Sequence, residues 1–113
     1  MFKLNEYEKE YRHIDHGPKY LEKGPRMNFG IVRLRPGDHV KAHLHEHMQE
    51  TFYVVEGEVV LTLEGTPNRL GPGDYLHVDP GEAHFLDNTG EVPVKIVITA
   101  APFTDGDKVA LEE

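Results

Sequence analysis

Glycine and proline break this chain at short intervals, and that punctuation limits what it can fold into more than any other feature. Gly-Pro pairs stand at Gly17 and Gly24, Pro-Gly pairs at Pro36, Pro72 and Pro80, and further glycines at Gly57, Gly65 and Gly90. Both residues weaken helix and strand interiors and favour turns. The stretches between them are short, β-branched and aromatic. They predict strands at Met27–Leu34, His39–His45, Thr51–Val55, Glu58–Leu63, Tyr75–Val78, His84–Leu86 and Val92–Thr99. "YVVEGEVVLTLEG" predicts a hairpin, with Glu56-Gly57 as its turn and the flanking runs paired. About eight short strands with frequent turns give an all-β sandwich or barrel. No long helical pattern competes. Leu4, Tyr7, Tyr11 and Ile14 fit either an amphipathic helix or an extended arm, and the polar tail "FTDGDKVALEE" fits one short turn of helix.

The 113 residues suffice for a single domain and one core. The expected division is an N-terminal arm over 1–26, a β-barrel over 27–101 and a polar tail over 102–113. Only 38% of residues are hydrophobic, so the core is modest and help from a second subunit is expected. Open sheet edges point the same way, towards a homodimer in which the arm pairs with an edge of the other subunit. A net charge of -8 repels phosphate backbones and anionic lipid, which excludes nucleic acid and membrane as partners. The chain has no Cys, so disulfides, Cys-based zinc sites and thiol catalysis are excluded, and a cytoplasmic location fits. The opening "MFKLNEYEKEYR" has no apolar core of a signal peptide, and no apolar run approaches the ~20 residues of a membrane span.

Within this frame one stretch stands out chemically. "GDHVKAHLHEHMQETFYVVEG" runs from Gly37 to Gly57 and places His43, His45 and His47 at every second position, with Glu50 just beyond. Side chains on a strand alternate faces, so His43 and His45 point to one side. Glu50 opens the next strand, and its same-face neighbours Phe52 and Val54 are apolar, as an interior face requires. In "GDYLHVDPGEAHFLDN", Pro80-Gly81 makes a turn and His84 emerges three residues later. Three imidazoles and a carboxylate suit Fe, Mn, Co, Ni or Zn. Buried together without an ion, they would be costly.

The spacing resembles a known family. Gly37-x5-His43-x-His45-x4-Glu50-x6-Gly57 matches the first motif of the cupins without a mismatch, and Gly73, Gly81, His84 and Asn88 match the second. Asp79 stands where that motif has proline, with Pro80 following. The resemblance implies a double-stranded β-helix, or jelly-roll barrel, with His43, His45, Glu50 and His84 as ligands to one divalent transition metal ion per chain. It also implies a small-molecule substrate or ligand. It leaves open an isomerase- or lyase-type proton transfer on a sugar-like or oxo-acid substrate, an iron-dependent dioxygenase, and a non-catalytic binding module.

An enzyme needs a proton-transfer group near the metal, and Tyr75, His77 and His47 are the visible candidates, His77 as a shuttle lining the pocket. The resemblance places His47 in the turn between the ligand strands. His39 reads as a rim residue, and His13 and His16 as water-facing. Phe52, Tyr53, Tyr75 and Phe85 read as core or pocket wall. Arg33 and Arg35 could recognise a carboxylate or form surface ion pairs, and Asn88 caps its turn.

Overall fold

The structure is a computed structural model and describes residues 1–112. Its strands are β1 (Gly17–Lys23), β2 (Asn28–Leu34), β3 (His39–His45), β4 (Gln49–Glu56), β5 (Val59–Leu63), β6 (Thr66–Leu70), β7 (Tyr75–Val78), β8 (His84–Asp87), β9 (Val94–Ala101) and β10 (Lys108–Ala110). They form two five-stranded sheets, ordered β1-β2-β9-β4-β7 and β10-β3-β8-β5-β6, and every pairing is antiparallel. The chain is all-β, as the punctuation predicts.

The core lies between the sheets and follows from period-two alternation. In β9, Val94, Ile96, Ile98 and Ala100 are buried while Lys95, Val97, Thr99 and Ala101 are half-exposed. Phe52 and Val54 from β4 meet Val59 and Leu61 from β5, with Val32, Leu34, Val78 and Leu86 completing the cluster. Burying a Leu or Phe side chain contributes about 1.5–3 kcal/mol, so this layer supplies most of the driving force.

Three expectations need correction. The hairpin at Glu56-Gly57 does not form: β4 pairs with β7 and β9, β5 with β6 and β8, and the chain crosses between sheets at Gly57. Both runs carry an apolar inner face, and they satisfy it across the core instead of edge to edge. The hairpin of this region joins β5 to β6 through Glu64-Gly65, whose φ values of 48 and 80 both lie in the left-handed region that a two-residue turn favours. The tail forms β10, not a turn of helix, and covers the edge of β3. The helical alternative for Leu4–Ile14 is absent. Only Glu6–Glu8 makes a 3-10 turn, and Tyr7 and Ile14 face water, leaving no continuous apolar stripe to bury.

Within the segment expected as an arm, β1 pairs with β2 of its own chain. Lys19 on β1 is 5% exposed and donates to the Glu6 carbonyl at 2.9 Å, while Lys95 reaches the Glu6 carboxylate at 2.6 Å. These contacts hold the first residues against the outer face of the first sheet.

Candidate metal centre

Four of the predicted site residues come together between the sheets. β3 presents His43 and His45, β8 presents His84, and these strands are neighbours, with His43 opposite His84 in the ladder. Glu50 comes from β4 in the opposing sheet. His43 and Glu50 are each 8% exposed and His84 is 1% exposed. Glu50 Oε1 lies 2.9 Å from His84 Nε2, 3.4 Å from His45 Nε2 and 4.0 Å from His43 Nε2. His43, Glu50 and His84 can each offer one donor atom such that all three lie within 4.8 Å of one another.

The backbone sets the tautomers. His43 Nδ1 donates to the Lys41 carbonyl at 2.9 Å, and His84 Nδ1 donates to the Glu82 carbonyl at 3.0 Å. Carbonyls only accept, so both rings carry hydrogen on Nδ1 and turn Nε2 towards Glu50. For His43 this leaves the Nε2 lone pair free. For His84, the 2.9 Å contact with Glu50 holds a proton between ring and carboxylate. Burial opposes a charge on the ring most strongly of any single cause, but the hydrogen bonds to Glu50 and to the Glu82 carbonyl, with the charges of both carboxylates, together outweigh it and raise the His84 pKa. Glu50 shows the reciprocal effect: burial would raise its pKa, yet bonds from His45 and His84 hold it at about 2. Burial pushes His43 down to about 4, so it stays neutral. Three imidazoles thus converge on one carboxylate, where a divalent cation would satisfy all four donors. His45 Nδ1 is buried and lacks a hydrogen-bond partner among the described residues. The donor set and its tautomers fit an ion.

His43, His45 and Glu50 form one wall of a cavity of about 380 Å³. Around it stand Tyr20 and Lys23 of β1, Arg12, Met48, and Phe103 and Lys108 of the C-terminal segment. Gly30 seats the Tyr20 ring, because a Cβ there would fall 3.0 Å from a ring carbon. Burial first, and then the Glu50 charge, raise the Tyr20 pKa, while Arg12 lowers it. The phenol is therefore neutral and feels both groups.

The proposed proton-transfer residues lie elsewhere. Tyr75 and His77 are exposed and alternate with inward Leu76 and Val78, and His77 Nε2 bonds Asp79 at 2.7 Å. Neither lines the cavity. The correction has a simple cause: the aliphatic pair on β7 takes the inner face. His47 sits in the β3–β4 turn, with Nδ1 2.7 Å from Asp107 Oδ1, and its side chain is 65% exposed. His39 pairs with Asp87 at 2.7 Å on the rim, His13 is exposed, and half-buried His16 bonds Asp15. Phe52 is buried in the core, Phe85 is half-buried, and Tyr53, like Tyr75, is exposed rather than core or pocket wall. Arg35 pairs with Asp38 and Arg33 donates to the Asp15 carbonyl. Asn88 is 1% exposed and braces its turn through Leu34, Gly90 and Val92.

Tyr20, Arg12, Lys23 and Lys108 escaped the sequence reading. Tyr20 sits between lysines and a glutamate in "GPKYLEK", where period-two hydrophobicity is faint.

Comparisons with known proteins agree with this architecture. A family model for the cupin domain matches residues 30–100. The chain is 33% identical over 73 residues to the tetracenomycin polyketide synthase protein TcmJ of Streptomyces glaucescens, a match covering 65% of this chain and 49% of that protein. The chain thus spans about half of that relative's length. Among solved structures, a Klebsiella pneumoniae protein with a double-stranded β-helix domain superposes with a TM-score of 0.84 at 23% identity, covering 100% of both chains. KdgF from Halomonas superposes with a TM-score of 0.79 at 25% identity, covering 93% of this chain and 97% of that one. With both histidine-bearing motifs inside the matched span and the two sheets folded as the motifs require, the chain belongs to the cupin family.

Proposed function

We propose that this chain is a metal-dependent enzyme that moves a proton within a small oxo- or sugar-acid substrate, in isomerase- or lyase-type chemistry. The observation that carries this reading is the placement of Tyr20, the one phenol among the described residues of the cavity wall, facing the cavity that His43, His45 and Glu50 also line. One divalent transition ion held by His43, His45, Glu50 and His84 would polarise a substrate carbonyl as a Lewis acid. Tyr20 supplies what Tyr75, His77 and His47 do not: a neutral hydroxyl able to donate a proton or a hydrogen bond to a developing enolate oxygen. Gly30 and the Lys23 ammonium, 5.4 Å from the ring centroid, fix its orientation.

Charge favours an acid over a neutral sugar. Arg12, Lys23 and Lys108 line this cavity beside the carboxylates of Glu50, Asp105 and Asp107; Glu50 belongs to the donor cluster and Asp107 is taken up by the His47–Met48 turn, and none of the three cations forms an ion pair among the described residues. Their partner is then expected to be substrate. Phe52, Met48 and Leu86 line the cavity's inner side and limit water there.

The test uses protein loaded with zinc or nickel, under nitrogen, in D2O. Pyruvate, 2-oxoglutarate, glucuronate and galacturonate are followed by proton NMR for exchange at the carbon next to the carbonyl. Exchange with at least one of them, lost in Tyr20→Phe at unchanged metal content, supports the reading. Activity that requires iron and consumes oxygen would replace it with a dioxygenase. Saturable binding with no turnover under either condition would replace it with a binding module.

A further inference from the structure

Asp107 is not part of the donor cluster, yet its side chain is fully buried and directed at it. Its carboxylate accepts from His47 N at 2.9 and 3.1 Å, Met48 N at 2.9 Å and His47 Nδ1 at 2.7 Å. Those atoms belong to the turn between His45 on β3 and Glu50 on β4. On the other side, the next residue, Lys108, pairs with His45 in the β10–β3 ladder. The C-terminal segment is thereby fastened to the centre from two directions.

An ionised carboxylate offers about four acceptor positions. Three donors occupy them here: the backbone N–H of His47, that of Met48, and the His47 ring. The His47 N–H is shared between both oxygens, and Oδ2, which holds only the 3.1 Å arm of that bond beside the Met48 N–H, lies 3.9 Å from His45 Nδ1. That same Nδ1 is buried and has no hydrogen-bond partner among the described residues. His45 therefore differs from His43 and His84, whose Nδ1 atoms already donate to backbone carbonyls. A ring that gives its Nε2 lone pair to a cation must carry hydrogen on Nδ1, and that hydrogen then needs an acceptor. Closing 3.9 Å to an ordinary ~2.9 Å takes a ring movement of about 1 Å.

We propose that Asp107 is the positioning residue for His45, accepting its Nδ1–H when the centre holds a metal ion, so that the C-terminal segment completes the site. This rests on the reading of the four donors as a metal centre, and it adds a carboxylate that touches neither metal nor substrate.

The experiment is run on the full chain, stripped by chelator and reloaded with zinc. Long-range 1H–15N NMR of histidine-labelled protein should show His45 as the Nδ1–H tautomer with a slowly exchanging, downfield proton. In Asp107→Asn that proton should move upfield and exchange faster, while the ring protons of His43 and His84 keep their positions. Zinc affinity, measured by chelator competition, should fall on the order of 10- to 100-fold in Asp107→Asn. His47→Ala removes another ligand of the same carboxylate and should leave zinc affinity within about two-fold; a turn-bracing role alone would make His47→Ala and Asp107→Asn similar. The proposal is overturned if His45 in zinc-loaded wild type lacks a protected Nδ1–H, a result that needs no variant to fold. It is equally overturned if zinc affinity of Asp107→Asn stays within two-fold of wild type, or if His47→Ala loses as much. Failure of the wild type to bind zinc at all would instead strike the metal-centre reading itself.

Discussion

Gly57 offers a sharp test of how the two sheets are joined. It has φ +76, and a Cβ placed on it would lie 2.4 Å from the Pro93 carbonyl oxygen and 2.9 Å from Val94 Cα. Gly57→Ala therefore meets two costs. The left-handed backbone costs a non-glycine residue about 1–2 kcal/mol. The contact is with backbone of the segment leading into β9, which cannot swing aside as a side chain would, and overpacking of that kind adds about 1–3 kcal/mol. The expected loss is about 2–5 kcal/mol, a large part of the ~5–15 kcal/mol that holds a domain folded. Gly37 supplies the control. Its φ is +88, but nothing lies within 4 Å of its Cβ position, so Gly37→Ala bears only the backbone cost. Urea unfolding of both variants, followed by circular dichroism, should show Gly57→Ala losing at least about 1 kcal/mol more than Gly37→Ala. Equal losses would mean that β4 and β5 are not joined by a crossover pressed against Pro93, and the sheet assignment would fall with it.

Three further predictions follow from the site. In chelator-treated protein, His43 is pushed from 6.5 to about 4 by burial, so the unfolded chain takes up its proton first as pH falls. Its contribution is nil above about pH 6.5 and grows to roughly 3 kcal/mol of destabilisation by about pH 4; because the raised pKa of His84 works in the opposite sense, the measurement is the difference between wild type and His43→Asn, which should lose roughly 3 kcal/mol less stability than wild type over this window, and parallel curves would refute the assignment. Tyr20→Phe should cut turnover on the order of 100-fold or more while metal content and substrate affinity change little, and a change confined to affinity would make Tyr20 a binding group only. Tyr75→Phe and His77→Ala should leave both metal content and turnover unchanged, and loss of either would return β7 to the site.

The His/Glu half of the candidate centre was legible in the sequence because strand alternation is strict. His43 and His45 share a face whatever the surroundings, and Glu50 heads a run whose alternate residues, Phe52 and Val54, are apolar. Alternation also held the information that misplaced Tyr75 and His77: Leu76 and Val78, the aliphatic pair, take the inner face. What alternation does not encode is which strands become neighbours. The runs around Gly57 read as a hairpin because a hairpin and a crossover between facing sheets bury the same residues. The cavity wall opposite was less legible for a different reason. Tyr20 lies in a strand whose outward Lys19 is buried by Glu6, so polarity hides an element that pairing with β2 creates. Asp107 reads as a surface turn residue, and its burial depends on backbone N–H groups sixty positions away.

The central claim is that His43, His45, Glu50 and His84 bind one metal ion. Elemental analysis of protein purified without added metal, alongside His45→Ala, Glu50→Ala and His13→Ala, addresses it most directly. The account predicts one divalent transition ion per chain in wild type and in His13→Ala, and little in the other two. Equal metal content in all four proteins would contradict it.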